Sequence, residues 1–146
     1  MAVHGQQLPA AHLTAWQNQT NQREEDELKE VNRLWHLGTE QYQRQARRLA
    51  RAVFNRHRDR YWTAVRANPA LRATFERAGM RFTGDNTTAP FYDIPDGTVT
   101  RMTLEHSERL TDDPSRALSG NNLQFVLHDE NSVSLEYIRR NDSFQQ

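Results

Sequence analysis

Four residues in the last third of the chain have the types and spacing of a hydrolytic site. Glu105 and His106 end one predicted strand, Asn122 opens another, and Asn131 opens a predicted helix. His106 can act as a general base, because an imidazole titrates near neutral pH. Glu105 and Asn131 offer carboxylate and amide oxygens, which suit Mg²⁺ better than Zn²⁺. Together they predict a metal ion beside a base.

The backbone around these residues must meet two conditions. Asn122 is expected to hydrogen-bond to backbone groups across the loop of residues 107–121 and so to hold the strand that carries His106. Glu105 and His106 face opposite ways on a regular strand, so both reach one metal only where the strand ends or bulges. We therefore expect irregular backbone at Glu105.

Composition limits the class of protein. The 146 residues fit one domain, and the 36% hydrophobic content with a mean hydropathy of −0.96 fits a soluble chain with a modest core. No apolar run is long enough to cross a membrane, and the first residues lack the pattern of a signal peptide. Because the chain has no Cys, a metal must bind His, carboxylate or amide ligands.

A long helix is predicted over residues 40–67, which contain no Gly or Pro. The net charge of the chain is zero, but eighteen of its nineteen basic residues are Arg, and many lie on one face of this helix. A solvated face, or one paired with the preceding acidic segment at residues 24–30, explains this pattern without a ligand. The alternative is a set of phosphate contacts, for which the candidates are Arg44, Arg47, Arg48, Arg51 and Arg58.

Other stretches predict further elements. Residues 1–22 are rich in Gln, Ala and Asn and are expected to form a linker or a loosely ordered arm. An acidic helix should follow from Glu24 to a break at Gly38, and a short helix should run from Pro69 to Gly79. Short strands are expected before and after the Pro95-Asp96-Gly97 turn. His57 falls on the apolar face of the long helix and is expected to be a core residue.

These residues carry a family resemblance. Glu105-His106, Asn122-Leu123 and Asn131 resemble the HNH motif of His-Me finger (ββα-metal) nucleases, in a variant with Asn at the final position. The same arrangement resembles the HNH domains of RNA-guided DNA-cutting effectors. Upstream residues resemble consecutive landmarks of colicin and pyocin DNase domains, so that the likeness covers residues 44–140; these landmarks are Arg58 to Val65, Asn68 to Leu71, Phe75, Ala89-Pro90 and Leu104-Glu105-His106.

The chain also departs from the colicin pattern. Colicin-type domains carry His-His in place of Glu105-His106, and two metal-binding His in place of Asn131 and Leu135. These differences replace two imidazole ligands with oxygen ligands and remove a third imidazole ligand. The resulting set favours Mg²⁺ or another divalent cation such as Mn²⁺. An inactivated descendant would lose ligands in the same way.

The resemblance implies an α+β fold, with N-terminal helices packed on a C-terminal ββα-metal motif. A nuclease domain would span residues 23–146, with a helical part at 23–80 and a ββα-metal part at 90–142. His106 would be the general base and Asn122 would orient the loop and the His strand, while Glu105 and Asn131 would bind Mg²⁺.

The resemblance further implies an endonuclease that cuts DNA, with RNA left open as a substrate. By analogy with bacteriocins, the chain would be the toxic C-terminal domain of a larger secreted antibacterial protein. It would act in the cytoplasm of a target cell and be silenced by an immunity protein. The competing interpretation is an inactive module that binds nucleic acid through its Arg face or serves as an adaptor for another protein.

Overall fold

The computed structural model describes residues 2–94, 97–119 and 122–129. Four helices occupy most of the first half: α1 (Ala10–Gln17), α2 (Gln22–Leu37), α3 (Glu40–Ala67) and α4 (Pro69–Arg77). The strands are β1 (Ala2–Val3), β2 (Gln6–Gln7), β3 (Met80–Arg81), β4 (Phe91–Asp93), β5 (Val99–His106) and β6 (Leu123–Asp129). The α+β prediction is confirmed at this level. The helix expected from Asn131 lies outside the described residues.

Local hydrogen bonds explain where the helices begin and end. Asn21 caps α2 by accepting from the Glu24 amide at 2.8 Å, and the Glu24 carboxylate accepts from the Asn21 amide at 3.0 Å. Gly38 ends the helix with a positive φ of 78°, a conformation that glycine adopts without steric cost. Asn68 caps α4 in a similar way, through the amides of Ala70 and Leu71. The predicted break at Gly38 is therefore confirmed.

The first 22 residues differ from the expected linker or loosely ordered arm. They contain the β1–β2 pair and α1, and Val3, Leu8 and Leu13 are each no more than 2% exposed. The apolar residues of this segment are few and widely spaced in a Gln-rich sequence, so periodicity gave no signal. Because Val3, Leu8 and Leu13 are buried, the segment contributes to the core despite its polar composition.

The chain divides into two compact units. The described part of the first unit comprises residues 2–10, 59–94, 97–105 and 125–129, and that of the second comprises 11–58, 106–119 and 122–124. The first unit is built on the four-stranded antiparallel sheet β3-β4-β5-β6. Its aromatic core includes Phe75, whose ring centroid lies 5.7 Å from that of Trp62 and 5.6 Å from that of Phe125.

The second unit contains α1, α2, the first two thirds of α3 and the loop that follows β5. A short 3₁₀ helix, Pro114–Arg116, lies within this loop and contacts α2. The core of the unit consists of apolar side chains from the two helices and the loop: Val31, Leu34, Ala46, Ala50, Leu110 and Ala117. None of the helices in the described ranges has the length and apolar character needed to cross a membrane.

Burial of the N-terminal segment can be tested with Leu13→Ala. Leu13 is 2% exposed, so its truncation should lower the free energy of unfolding by about 2–5 kcal/mol. Leu37 is 47% exposed, and the matched Leu37→Ala should change it by less than about 0.5 kcal/mol. Urea unfolding followed by circular dichroism measures both values. Equal effects of the two substitutions would mean that residues near 13 do not pack as described.

Candidate active site

His106 is the last residue of β5, and its imidazole is held in one orientation. Nε2 lies 3.0 Å from the carbonyl oxygen of Ala117. A carbonyl oxygen only accepts hydrogen bonds, so Nε2 must carry the proton and donate it. In the neutral ring the lone pair is therefore on Nδ1. His106 thus has the tautomer that leaves Nδ1 available to take a proton.

The surroundings of His106 favour this neutral form. The ring packs edge-on against Phe54 at a centroid distance of 4.4 Å. Burial lowers the pKa of His106 below its ordinary value, the hydrogen bond to Ala117 opposes this effect, and the positive charge of Arg51 adds to the lowering. A lowered pKa keeps a larger fraction of the imidazole uncharged at neutral pH, as a general base requires.

Asn122 cross-links the loop that follows His106. Its side chain is fully buried, and Oδ1 accepts from the amide of Glu108 at 2.7 Å. Nδ2 donates to the carbonyl oxygens of Glu108 at 3.2 Å and Arg116 at 3.0 Å. The backbone of Asn122 adds two bonds, accepting from the Ser107 amide at 2.6 Å and donating to the Ser119 carbonyl at 3.0 Å. One residue therefore ties together the start and the end of the loop.

Helix α3 holds the same loop from the other side. Arg47 Nε donates to the carbonyl oxygen of Thr111 at 3.2 Å, and Ala50 packs in one apolar cluster with Leu110 and Ala117. Within the loop, Arg116 forms an ion pair with Glu108. The carbonyl of Ala117 that orients His106 is thus fixed by contacts to α3 and by the hydrogen bond from Asn122 to the carbonyl of the neighbouring Arg116.

The backbone at Glu105 is regular, which corrects the expected irregularity. Strand β5 continues through His106, and the chain first bends at Ser107. The reason is that pairing with the neighbouring strand persists, since the Ser107 amide still bonds to the Asn122 carbonyl. The sequence required either a strand end or a bulge here, and the structure shows the strand end, directly after His106.

The predicted metal ligands are only partly described. Glu105 is half-buried and makes no hydrogen bond or ion pair to another described residue, so its carboxylate oxygens are available to a hard cation such as Mg²⁺. Asn131 lies outside the described residues. Within the described ranges no group of three or more His, Asp or Glu side chains gathers in a metal-binding arrangement. The carboxylate of Glu105 has the chemistry that the predicted ion requires of a ligand.

The five candidate phosphate contacts have different environments. Arg44 pairs with Glu40 at 3.2 Å, and Arg47, besides its bond to Thr111, lies over the Trp35 ring at 5.3 Å. Arg58 lies over the Phe54 ring at 5.7 Å. The side chains of Arg48 and Arg51 are exposed and form no hydrogen bond or ion pair with any described residue. Sequence periodicity predicted that all five arginines lie on one helix. It could not predict which of them have a partner within the protein.

Two parts of the site had no clear signal in the sequence. The carbonyl of Ala117 has none, because every residue carries a backbone carbonyl. Phe54 flanks the apolar face of α3, but nothing in the spacing pairs it with His106.

The prediction that His57 is a core residue is confirmed, since it is 1% exposed and its ring nitrogens face the Glu24 carboxylate at 3.3 Å and the Trp16 carbonyl at 3.1 Å.

Replacing Asn122 with Ala should destabilise the loop strongly. The substitution leaves the Glu108 amide and the carbonyls of Glu108 and Arg116 without their buried partner, at a cost of about 2–4 kcal/mol in unfolding free energy. The matched control is Asn32→Ala, at an exposed position of α2, which should change it by less than about 0.5 kcal/mol. Chemical denaturation measures both. A loss for Asn122→Ala no larger than that of the control would contradict the cross-linking role.

In comparisons with known proteins, no family model, curated protein or solved structure matches the chain.

Proposed function

We propose that this chain is a metal-dependent endonuclease in which His106 is the general base. The observation that carries the proposal is the hydrogen bond from His106 Nε2 to the Ala117 carbonyl at 3.0 Å. It leaves Nδ1 as the basic atom of a ring whose pKa is lowered by burial. The motif residues that resemble those of His-Me finger nucleases support the same assignment.

In the proposed reaction, His106 Nδ1 removes a proton from a water molecule as its oxygen attacks the phosphorus atom. A P–O bond forms, and the bond from phosphorus to the 3′ oxygen breaks. The leaving 3′ oxygen takes a proton from solvent, so the products are a 5′ phosphate and a 3′ hydroxyl. A Mg²⁺ or Mn²⁺ ion held by Glu105 and Asn131 would neutralise charge on the phosphate and on the leaving oxygen.

Two further residues position His106, one through the loop and one by direct contact with the ring. Asn122 keeps the loop closed and so keeps the Ala117 carbonyl in place against Nε2. Phe54 covers one side of the imidazole and excludes water from it. These are positioning roles, and they restrict the imidazole to the orientation in which Nδ1 is free.

The biological setting is proposed from the resemblance alone. DNA is the proposed substrate, with RNA as the alternative, and the arginines of α3 would supply nonspecific affinity for phosphate. The chain would be the toxic domain of a larger antibacterial protein that acts in the cytoplasm of a target cell. A cognate immunity protein would block it in the producing cell.

Plasmid nicking tests the proposal directly. The purified chain should nick supercoiled DNA with Mg²⁺ or Mn²⁺ and lose this activity in excess chelator. His106→Ala should lower the rate by about 10²–10⁴-fold, because the base is lost. The matched control is His36→Ala, at an exposed position of α2, and it should keep the wild-type rate.

Two outcomes would overturn the proposal in different ways. Binding of DNA and RNA without cleavage in any divalent metal would establish the competing class, a binding module. Cleavage that His106→Ala leaves unchanged would show a nuclease whose site lies elsewhere. An RNA substrate incubated in parallel identifies which nucleic acid is cut.

A further inference from the structure

One face of α3 lies against the loop that positions His106. Arg47 bonds to Thr111, Ala50 packs with Ala117, and Phe54 packs on the His106 ring. These residues are three to four positions apart and therefore share one side of the helix. The loop runs along this side.

Arg51 lies at the edge of that face. At about 100° per residue it is about 60° around the helix from Phe54, whereas Arg48 is about 120° from it. The Arg51 side chain is exposed, and it has no hydrogen bond or ion pair to another described residue. Arg51 follows Ala50 and precedes Phe54 by three positions, so it lies beside the two residues of α3 that contact the loop and the His106 ring. It has no acidic partner among the described residues.

We propose that Arg51 binds the phosphate group on which His106 acts. The inference rests on the proposed endonuclease function and assigns one of the five candidate arginines to the reacting phosphate. Arg44, Arg47 and Arg58 already contact side chains or backbone of their own unit. Arg48 has no such partner, but it lies farther around the helix and fits a contact to a flanking phosphate.

The chemistry of guanidinium fits this role. Its planar donors can bond two phosphate oxygens at once, which fixes the orientation of the group as well as neutralising it. Neutralisation lowers the electrostatic cost of bringing a nucleophilic oxygen to an anionic phosphorus centre. The charge cannot be lost by deprotonation, so the contact persists throughout the pH range of the reaction.

Phosphate binding is tested first, without cleavage. Inorganic phosphate is added to the chelator-treated chain at constant pH and ionic strength, and the ring signals of His106 are followed by NMR. We expect a saturable shift in the wild type and in the control Arg33→Gln, on α2, and loss of the shift in Arg51→Gln. Both substitutions are at exposed positions, and circular dichroism should show unchanged folds. A shift that persists in Arg51→Gln would overturn the proposal.

Cleavage is then measured in single turnovers at saturating enzyme. Arg51→Gln should lower the saturated rate by about 10²–10³-fold, as does loss of a group that stabilises charge in the transition state. Arg51→Lys should recover part of this rate, because lysine keeps the positive charge but lacks the planar set of donors. The matched control is Arg33→Gln, at an exposed position of α2 outside the candidate site, and it should leave the saturated rate unchanged.

The two measurements separate failure of this inference from failure of the proposed function. If the wild type cleaves and the two Gln variants have equal saturated rates, the inference fails and the endonuclease stands. If phosphate binds through Arg51 but the wild type cleaves nothing, the endonuclease fails, and with it the assignment of this phosphate as the reacting one.

Discussion

The hydrogen bond from His106 Nε2 to the Ala117 carbonyl is the interaction on which the rest of the candidate site depends. An imidazole has two nitrogens, and only a fixed partner on one of them decides which is the base. That partner is a backbone oxygen in a loop, so its position is fixed only if the loop is rigid. The buried side chain of Asn122 and the apolar packing of Ala117 provide the required rigidity.

Helix α3 packs closely against the loop that contains Ala117. Ala46 and Ala50 are fully buried where the helix meets the loop, and their small side chains let other groups approach the helix closely. Larger residues flank them, with Arg47 bonding to the loop and Phe54 covering His106. The same stretch of α3 therefore contributes to the core of the second unit and to the surroundings of His106. We therefore expect changes in packing at α3 to alter the orientation of His106.

Sequence reasoning recovered the elements that depend on local chemistry. The absence of Gly and Pro predicted α3 over 40–67, and Asn68-Pro69 predicted the start of α4. It misjudged residues 1–22, because burial of a few dispersed apolar residues is decided by tertiary packing. It also expected irregular backbone at Glu105, where pairing with the neighbouring strand continues. The partner of His106 was beyond prediction, since a backbone carbonyl has no side-chain signature.

The protonated nitrogen of His106 can be identified by NMR. A long-range ¹H–¹⁵N spectrum of the chelator-treated chain, recorded at a pH where the ring is neutral, distinguishes protonation at Nε2 from protonation at Nδ1. The hydrogen bond to Ala117 predicts that the proton is on Nε2 and that Nδ1 gives the signal of an unprotonated nitrogen. A proton on Nδ1 would contradict the account, because the atom assigned as the base would then be a donor.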